Sequence, residues 1–308
     1  MRDGIQRAVP CTFPLQRKMN VFCDIFKNYQ PDCIEIGSLV SNKIMPIMQD
    51  TPVLYSSVNN YLLQQMQLYK IQQNQKKDES IENHEDNHEQ SLTIPKLYVL
   101  VPNSNKLLES FSYGFKNFSF VTSMSNSFQK KNVGKTLDDT KNDLQHCFHL
   151  LDKEFPEDEF STKLYISCIN KCPIDGQIDI SFIINELMYY HIYFNFDELC
   201  LSDTCGTLGY HEFVYIINAL ERNNFPINKL SLHLHIDQSR TSIIEKILFY
   251  CFDKNITKFD VSLLNEGGCS VTMNNTNNAI HPNLSYEMLY NCLQKYSENK
   301  CSNDIIYL

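Results

Sequence analysis

The sequence predicts an α/β barrel of parallel strands, and three observations support this prediction. Short β-rich runs alternate with helix-length amphipathic stretches along most of the 308 residues, a pattern typical of βαβ units and a parallel sheet. No glycine-rich turn follows the first β-rich run in a chain with only nine glycines, which disfavours a dinucleotide-binding, doubly wound sheet. Polar residues also gather at the predicted carboxyl ends of the strands, where an α/β barrel carries its working residues.

Seven β-rich runs are visible, with helical patterns between them. The runs are CIEIGS (33–38), KLYVLVP (96–102), NFSFVTS (117–123), KLYISCI (163–169), ELCLSD (198–203), KLSLHLHI (229–236) and KFDVSLL (258–264), and the helical patterns include 137–155, 180–194, 210–223, 241–253 and 285–296. An eighth strand would complete a (β/α)₈ barrel, and the chain opens with Arg2-Asp3-Gly4, where the end of a first strand would belong. We therefore predict one (β/α)₈ barrel domain over residues 1–308, with its first strand truncated.

An acidic segment rich in Gln and Asn, residues 64–92, stands apart from this pattern. After Ile71 it contains hardly an apolar residue, so it cannot bury enough surface to offset its chain entropy. We interpret it as a disordered or loosely helical surface insertion. His84 and His88 lie in it at helical spacing, but a solvated acidic loop is a better interpretation than a metal site.

Composition excludes several classes of protein. The 27 Lys and Arg against 36 Asp and Glu give a net charge of −9, which disfavours a nonspecific nucleic-acid binder. Because no apolar run approaches the roughly 20 residues of a membrane helix and no export signal begins the chain, we predict a cytoplasmic protein without membrane contact. The twelve cysteines lie mostly in apolar runs without C-x-x-C spacing, so we expect free, largely buried thiols rather than disulfides or structural zinc.

The strongest local motif is the pair His233 and His235 in KLSLHLHI. Residues i and i+2 of a β-strand point to the same face, so both imidazoles would face the mouth of the barrel. With an Asp and an amide oxygen nearby they would form a divalent-metal site. An isolated H-x-H is more often two polar residues on a half-exposed strand, so the interpretation depends on further ligands.

Seven stretches, in order along the chain, resemble the 3-hydroxy-3-methylglutaryl-CoA lyase family of metal-dependent (β/α)₈ barrels. They are Arg2-Asp3-Gly4-Ile5-Gln6 (family R-D-G-L-Q), Cys33–Ser41 with Lys43, Pro46, Met48 and Asp50 (I-E-x-x-S-F-V-S-P-K-x-x-P-Q-M), Val101-Pro102-Asn103 (x-P-N), Ser127–Asn132 (S-F-S-x-K-N), Ser167–Gly176 (V-S-C-x-x-G-C-P-x-x-G), Ser202–Gly206 (G-D-T-x-G) and Gly267-Gly268-Cys269 (G-G-C). The resemblance runs from residue 2 to about Tyr296 and is interrupted only by the insertion.

The resemblance implies a metal-assisted retro-Claisen cleavage of 3-hydroxy-3-methylglutaryl-CoA, or a close analogue, to acetyl-CoA and acetoacetate. Its cofactor would be Mg²⁺ or Mn²⁺. The implied ligands are Asp3, His233, His235 and Asn278, the last lying nine residues after Cys269, as the ligand asparagine does in the family. The implied substrate is an acyl-CoA thioester, and a homodimer is a further expectation.

The same resemblance implies roles for six further residues. Arg2 would face the developing enolate oxygen, and Cys269 would protonate the acetyl-CoA carbanion. Glu35 and Asp203 would orient groups or relay protons, and Gln6 and Asn103 would bind substrate. For Asp203 a helix cap is the alternative, because Asp is common at strand–helix turns.

Departures from the family pattern keep other functions open. The first strand is missing, Ile236-Asp237-Gln238-Ser239 replaces D-T-Y-G, and the loop after Cys269 is rich in Asn where the family has glycines. One alternative is a Claisen-type synthase of the homocitrate or isopropylmalate synthase type, although such synthases ordinarily lack the loop cysteine. The other is a non-catalytic barrel that serves as a binding or scaffold protein.

Overall fold

A computed structural model describes residues 1–79, 92–156, 159–264 and 281–304. The described strands are β1 (Cys33–Ser38), β2 (Lys96–Leu100), β3 (Asn117–Ser123), β4 (Ser161–Ser167), β5 (Lys171–Cys172), β6 (Gly176–Gln177), β7 (Glu198–Asp203), β8 (Leu230–Leu234) and β9 (Lys258–Asp260). Strands β1, β2, β3, β4, β7, β8 and β9 form one parallel sheet in that order, whereas β5 and β6 pair as a short antiparallel hairpin. The predicted seven parallel strands are confirmed.

Helices separate the strands of the large sheet. The described helices are α1 (Leu15–Asn28), α2 (Thr51–Glu79), α3 (Ser104–Phe111), α4 (Asn126–Val133), α5 (Leu137–Glu154), α6 (Ile180–Tyr193), α7 (Tyr210–Arg222), α8 (Thr241–Asp253) and α9 (Tyr286–Asp304). The fold is a TIM barrel, as predicted, and its described part contributes seven strands to the parallel sheet. Within the described residues the outer edges of β1 and β9 carry no further strand.

The start of the chain lies at the carboxyl end of this gap. The backbone N–H of Arg2 donates to the carbonyl of Glu35 at 2.8 Å, and a single 3₁₀ turn, Asp3–Ile5, follows. A Cβ on Gly4 would lie 2.2 Å from Oγ of Ser262 and 2.9 Å from the carbonyl oxygen of Leu264. Only glycine therefore lets this turn pack against the segment after β9, and the turn joins the two edges of the open barrel at one end.

Strand alternation separates an apolar outer layer from a polar interior. Leu230, Leu232 and Leu234 of β8 are fully buried in the main core with side chains from the helices. The intervening Ser231 and His233 face the other way, because successive strand residues alternate. Inside the barrel a small apolar cluster consists of Leu100, Tyr165 and Cys200, with Val121 packed against it. Polar side chains can therefore occupy the mouth of the barrel without interrupting the main core.

The predicted insertion divides into two parts. Residues 64–79 continue helix α2, which begins at Thr51, whereas residues 80–91 lie outside the described part. His84 and His88 belong to that second part. In the described part of the chain, no helix combines the length and apolarity needed to cross a bilayer. None of the ten cysteines whose side chains are described forms a disulfide, and six of them are buried.

Candidate active site

The structure brings Asp3, His233 and His235 together at the carboxyl end of the sheet. One potential ligand atom from each lies within 4.8 Å of the other two. The Nε2 atoms of the two imidazoles are 3.2 Å apart, because β8 places both rings on one face. The other ring nitrogen of His235, Nδ1, lies 3.2 Å from the backbone carbonyl oxygen of Thr204, and this contact holds the ring in place. This fixes Nε2 of His235 toward His233.

Asn283 joins the three side chains, although sequence reasoning missed it. It pairs with His235 in an antiparallel bridge, and the backbone N–H of Leu284 donates to the carbonyl of Leu234 at 2.9 Å. Nδ2 of Asn283 donates to Oδ2 of Asp3 at 2.5 Å. Its Oδ1 is buried without a hydrogen-bond partner among the described residues. An amide oxygen left unsatisfied beside a carboxylate and two imidazoles is an available metal ligand.

Arg2 forms a second group of contacts next to Asp3. Its Nε donates to Oε2 of Glu35 at 2.7 Å, and its Nη1 donates to Oε1 of Gln6 at 2.6 Å and to Oδ1 of Asp3 at 3.2 Å. The guanidinium carbon lies 5.7 Å from the ring centre of Tyr165. Nη2 donates to no protein acceptor in the described ranges. Arg2, Glu35 and Gln6 are therefore brought together beside Asp3, and their predicted catalytic and substrate-binding roles stay predictions.

The electrostatics of Asp3 and His235 favour the forms that bind a cation, whereas at His233 burial lowers the pKa but Asp260 and Asp3 raise it above its usual value. Burial opposes ionisation of Asp3, but Arg2, the two histidines and the hydrogen bond from Asn283 lower its pKa to about 2. Burial, with the neighbouring His233, lowers the pKa of His235 to about 4. At neutral pH the site therefore offers a carboxylate and a neutral imidazole, the protonation states that metal binding requires.

The donor set fits a hard or borderline divalent ion. It consists of one carboxylate, two imidazole nitrogens and one amide oxygen, and it has no thiolate among the described side chains. Two neighbouring ligands of an octahedral ion with bonds of about 2.1 Å lie about 3.0 Å apart, close to the 3.2 Å between the two Nε2 atoms. A hydrogen bond between the two imidazole rings gives the same separation. Titration with a metal ion distinguishes a pair of metal ligands from a pair of hydrogen-bonded rings.

Three other polar residues at strand ends have structural contacts. The two carboxylate oxygens of Asp203 accept the backbone N–H groups of Thr207 and Leu208, each at 2.9 Å, and burial raises its pKa. Asn103 caps helix α3 by accepting the N–H of Lys106 at 2.9 Å. Asp237, in the stretch that departs from D-T-Y-G, accepts from Ser239. These contacts of Asp203 and Asn103 are with backbone groups close by in the chain and not with the Asp3 cluster. The predicted catalytic role of Asp203 and the predicted substrate contact of Asn103 stay predictions.

Cys269 and Asn278 lie outside the described residues, so the structure places neither of them. The described residues run to Leu264, whose backbone N–H donates to Oγ of Ser262, and resume at His281. Their predicted roles as proton donor and metal ligand stay predictions.

A cavity of about 680 Å³ adjoins the cluster. Asp3, Glu35, His233 and Asn283 line one end of it. Residues at the starts of strands line much of the rest, among them Cys33, Lys96, Ser161, Glu198 and Lys258. The cavity runs along the gap between β1 and β9, which contribute residues 33–35 and 258–260 to its wall. The cavity therefore offers space for a small molecule beside the cluster.

Comparison with known sequences points to one enzyme family. No family model matches the chain. It is 24% identical over 193 residues to a 3-hydroxy-3-isohexenylglutaryl-CoA/hydroxymethylglutaryl-CoA lyase of Pseudomonas aeruginosa, covering 61% of this chain and 60% of that protein. It is 24% identical over 179 residues to a mitochondrial hydroxymethylglutaryl-CoA lyase of Arabidopsis thaliana, covering 56% of this chain and 35% of that protein. The chain thus spans less than two thirds of either relative.

Solved structures show the same fold over nearly the whole chain. A Bacillus subtilis HMG-CoA lyase superposes with a TM-score of 0.71 at 21% identity, covering 96% of this chain and 83% of that one. An HMG-CoA lyase of Acinetobacter baumannii, in complex with coenzyme A and 3-methylmalate, superposes with a TM-score of 0.72 at 18% identity and covers 96% and 81%. These similarities support the barrel predicted from the strand pattern.

Proposed function

Because the chain is a diverged member of the 3-hydroxy-3-methylglutaryl-CoA lyase family, we propose that it is a divalent-metal-dependent acyl-CoA lyase. The reaction is the retro-Claisen cleavage of 3-hydroxy-3-methylglutaryl-CoA, or a close analogue, to acetyl-CoA and acetoacetate. The observation that carries the proposal is the convergence of Asp3, His233 and His235 from opposite ends of the chain. The acyl-CoA substrate class is proposed from the names of the relatives and from the coenzyme A bound to the Acinetobacter enzyme.

We assign the metal site to Asp3, His233, His235 and an asparagine. Asn283 is the better candidate for the fourth ligand, because its Oδ1 is buried and unsatisfied next to Asp3. These residues would hold a divalent ion, Mg²⁺ or Mn²⁺, which would supply Lewis acidity for loss of the proton from the tertiary hydroxyl of the substrate. No thiolate is needed for such an ion.

Arg2 stabilises the charge that develops when the carbon–carbon bond breaks. The bond's electrons move onto the thioester as an enolate, and the hydroxyl carbon becomes the ketone of acetoacetate. Glu35, Gln6 and Asp3 accept from Nε and Nη1 of the guanidinium, so its charge is held in place without reorganisation. Burial opposes the charge, but Glu35 and Asp3 raise the pKa of Arg2, which keeps the side chain cationic.

Cys269 provides the proton that converts the enolate to acetyl-CoA. A thiol has a pKa suited to protonating carbon at neutral pH, and the assignment rests on the family's G-G-C motif, matched by Gly267-Gly268-Cys269. Asp203 supports the site from the loop that carries Thr204, the backbone partner of His235.

The test is thioester cleavage by the purified protein with Mg²⁺ or Mn²⁺, for the wild type, Cys269→Ala and Cys11→Ala. Cys11 is an exposed free thiol and is the matched control. We expect cleavage by the wild type and by Cys11→Ala, and a loss of about 10²- to 10⁴-fold in kcat for Cys269→Ala, the usual contribution of a general acid. Both 3-hydroxy-3-methylglutaryl-CoA and its 3-isohexenyl analogue are assayed, which separates the two activities named for the Pseudomonas relative.

Wild-type cleavage at the no-enzyme background with both metals and both substrates would reject the lyase. If Mn²⁺ also failed to bind, a non-catalytic barrel would remain. Condensation of acetyl-CoA with a 2-oxo acid would instead support the synthase alternative.

A further inference from the structure

The Nδ1 atom of His233 faces a buried carboxylate to which the sequence analysis assigned no role. Nδ1 lies 3.5 Å from Oδ2 of Asp260, the last residue of β9. Nδ1 is buried and has no hydrogen-bond partner at normal distance, so this contact with the Asp260 carboxylate is the polar contact that the structure gives it. The opposite nitrogen, Nε2, faces His235 and the rest of the proposed metal site. His233 therefore lies between Asp260 and that site.

Asp260 is itself held in place from the other side. Its Oδ1 accepts from the ammonium group of Lys163, and Sγ of Cys200 lies 3.9 Å from Oδ2. The Lys163 ammonium also contacts Oε1 of Glu198 at 2.7 Å and lies 4.7 Å from the ring centre of Tyr165. Only 5% of the Lys163 side chain is exposed. A fully buried cation with two carboxylate partners and an aromatic face has little freedom to move.

Tyr165 restrains the ring of His233 in the remaining direction. The two rings meet edge to face, with centres 6.1 Å apart and planes at 83°. The imidazole is thus confined by an aromatic ring on its face and by a carboxylate at Nδ1. Both confining groups contact the same lysine.

We propose that Asp260 is a positioning residue for the metal site, and that Lys163 holds it in register with His233. This inference rests on the metal site of the proposed function. By accepting the proton of Nδ1, Asp260 selects the tautomer that leaves the lone pair of Nε2 directed at the cation. Metal-bound histidines commonly donate their second ring N–H to a carboxylate or carbonyl, and loss of that partner typically weakens metal binding by about 10- to 100-fold.

Glu198 separates this role from that of an ordinary buried ion pair. Asp260 and Glu198 both contact the ammonium group of Lys163, but only Asp260 reaches His233. If Asp260 served only to neutralise Lys163, the loss of either carboxylate would have the same effect on metal binding. A positioning role predicts an effect from Asp260 alone.

The experiment compares Mn²⁺ binding, by titration calorimetry and by the electron paramagnetic resonance signal of free Mn²⁺, in the wild type, Asp260→Asn and Glu198→Gln. We expect the Kd of Asp260→Asn to rise about 10- to 100-fold and that of Glu198→Gln to change less than about threefold. Because Asp260→Asn leaves Lys163 with one carboxylate, the double variant Asp260→Asn/Lys163→Met is the second probe. It removes the stranded charge and is expected to keep the weakened Mn²⁺ binding.

Unchanged Mn²⁺ affinity in the double variant, or equal weakening in Glu198→Gln, would overturn the positioning role. Thioester cleavage by the wild type is measured on the same samples. A wild type that binds Mn²⁺ without cleaving either thioester, while Asp260→Asn binds weakly, would reject the lyase and support the positioning role. If the wild type cleaves the thioester and Asp260→Asn binds Mn²⁺ normally, the lyase is supported and the positioning role of Asp260 is rejected.

Discussion

Replacing Asn283 with alanine separates a metal ligand from a structural asparagine. In the protein without metal, the variant loses the hydrogen bond from Nδ2 to Asp3, worth about 1.5–3 kcal/mol for a charged acceptor. It also removes the buried, unsatisfied Oδ1, whose burial costs about 1–3 kcal/mol. These two contributions nearly cancel, so we expect the free energy of unfolding without metal to change little.

With metal the balance differs, because Oδ1 is then satisfied by the cation. We expect the Kd for Mn²⁺ to rise about tenfold or more, which is about 1.4 kcal/mol or more of lost binding free energy. The unfolding entropy of a 308-residue chain is about 0.65 kcal/mol per degree. At saturating Mn²⁺ the metal-induced increase in Tm should therefore be smaller than in the wild type by about 2 °C or more.

The assay is Mn²⁺ titration calorimetry with thermal unfolding, with and without Mn²⁺, and Asn278→Ala is the matched control. We expect Asn278→Ala to bind Mn²⁺ like the wild type. The reverse outcome, normal binding by Asn283→Ala and weakened binding by Asn278→Ala, would refute the reasoning from the unsatisfied Oδ1 and restore the ligand predicted from sequence spacing.

Two further variants test how the site is supported. Gly4→Ala should destabilise the protein by about 1–3 kcal/mol, a typical cost of overpacking, because its Cβ would lie 2.2 Å from Oγ of Ser262. The variant should also weaken Mn²⁺ binding, because the turn that carries Asp3 is displaced. An unchanged midpoint of urea unfolding would contradict the close contact between Gly4 and Ser262. Asp203→Asn should cost about 1–3 kcal/mol, because an amide nitrogen would replace one of the two oxygens that accept backbone N–H groups; full stability in urea with lost thioester cleavage would instead indicate a catalytic role.

The barrel and the histidine pair could be predicted from sequence because both depend on local periodicity. The seven β-rich runs correspond to the seven parallel strands, and the i, i+2 spacing of His233 and His235 was enough to place both imidazoles on one face. Their convergence with Asp3 came from the resemblance, because no local pattern relates residue 3 to residue 233.

The remaining features depend on contacts that sequence spacing does not encode. The nine-residue distance from Cys269 predicts Asn278 as a ligand, and this stays a prediction. Asn283 reaches Asp3 because it pairs with His235 across the sheet end, which no spacing in the sequence indicates. Asn103 and Asp203 follow strands in the way that site residues do, but the same positions suit a helix cap and a loop clamp. Sequence alone cannot separate these uses.

The buried lysine gave a signal that could have been used. Lys163 alternates with Tyr165 in the run KLYISCI, so strand periodicity places its charge inside the barrel, where it needs acidic partners. The sequence does not identify Asp260 and Glu198 as those partners. They lie on β9 and β7, and these strands come close to Lys163 on β4 only once the sheet has formed in its observed order.

Anomalous scattering from a crystal soaked in Mn²⁺ tests the central claim most directly. We predict one strong peak in contact with the carboxylate of Asp3, Nε2 of both histidines and Oδ1 of Asn283. A saturated crystal with no peak among these four side chains, or with Nε2 of His233 and His235 still hydrogen-bonded to each other, would contradict the account.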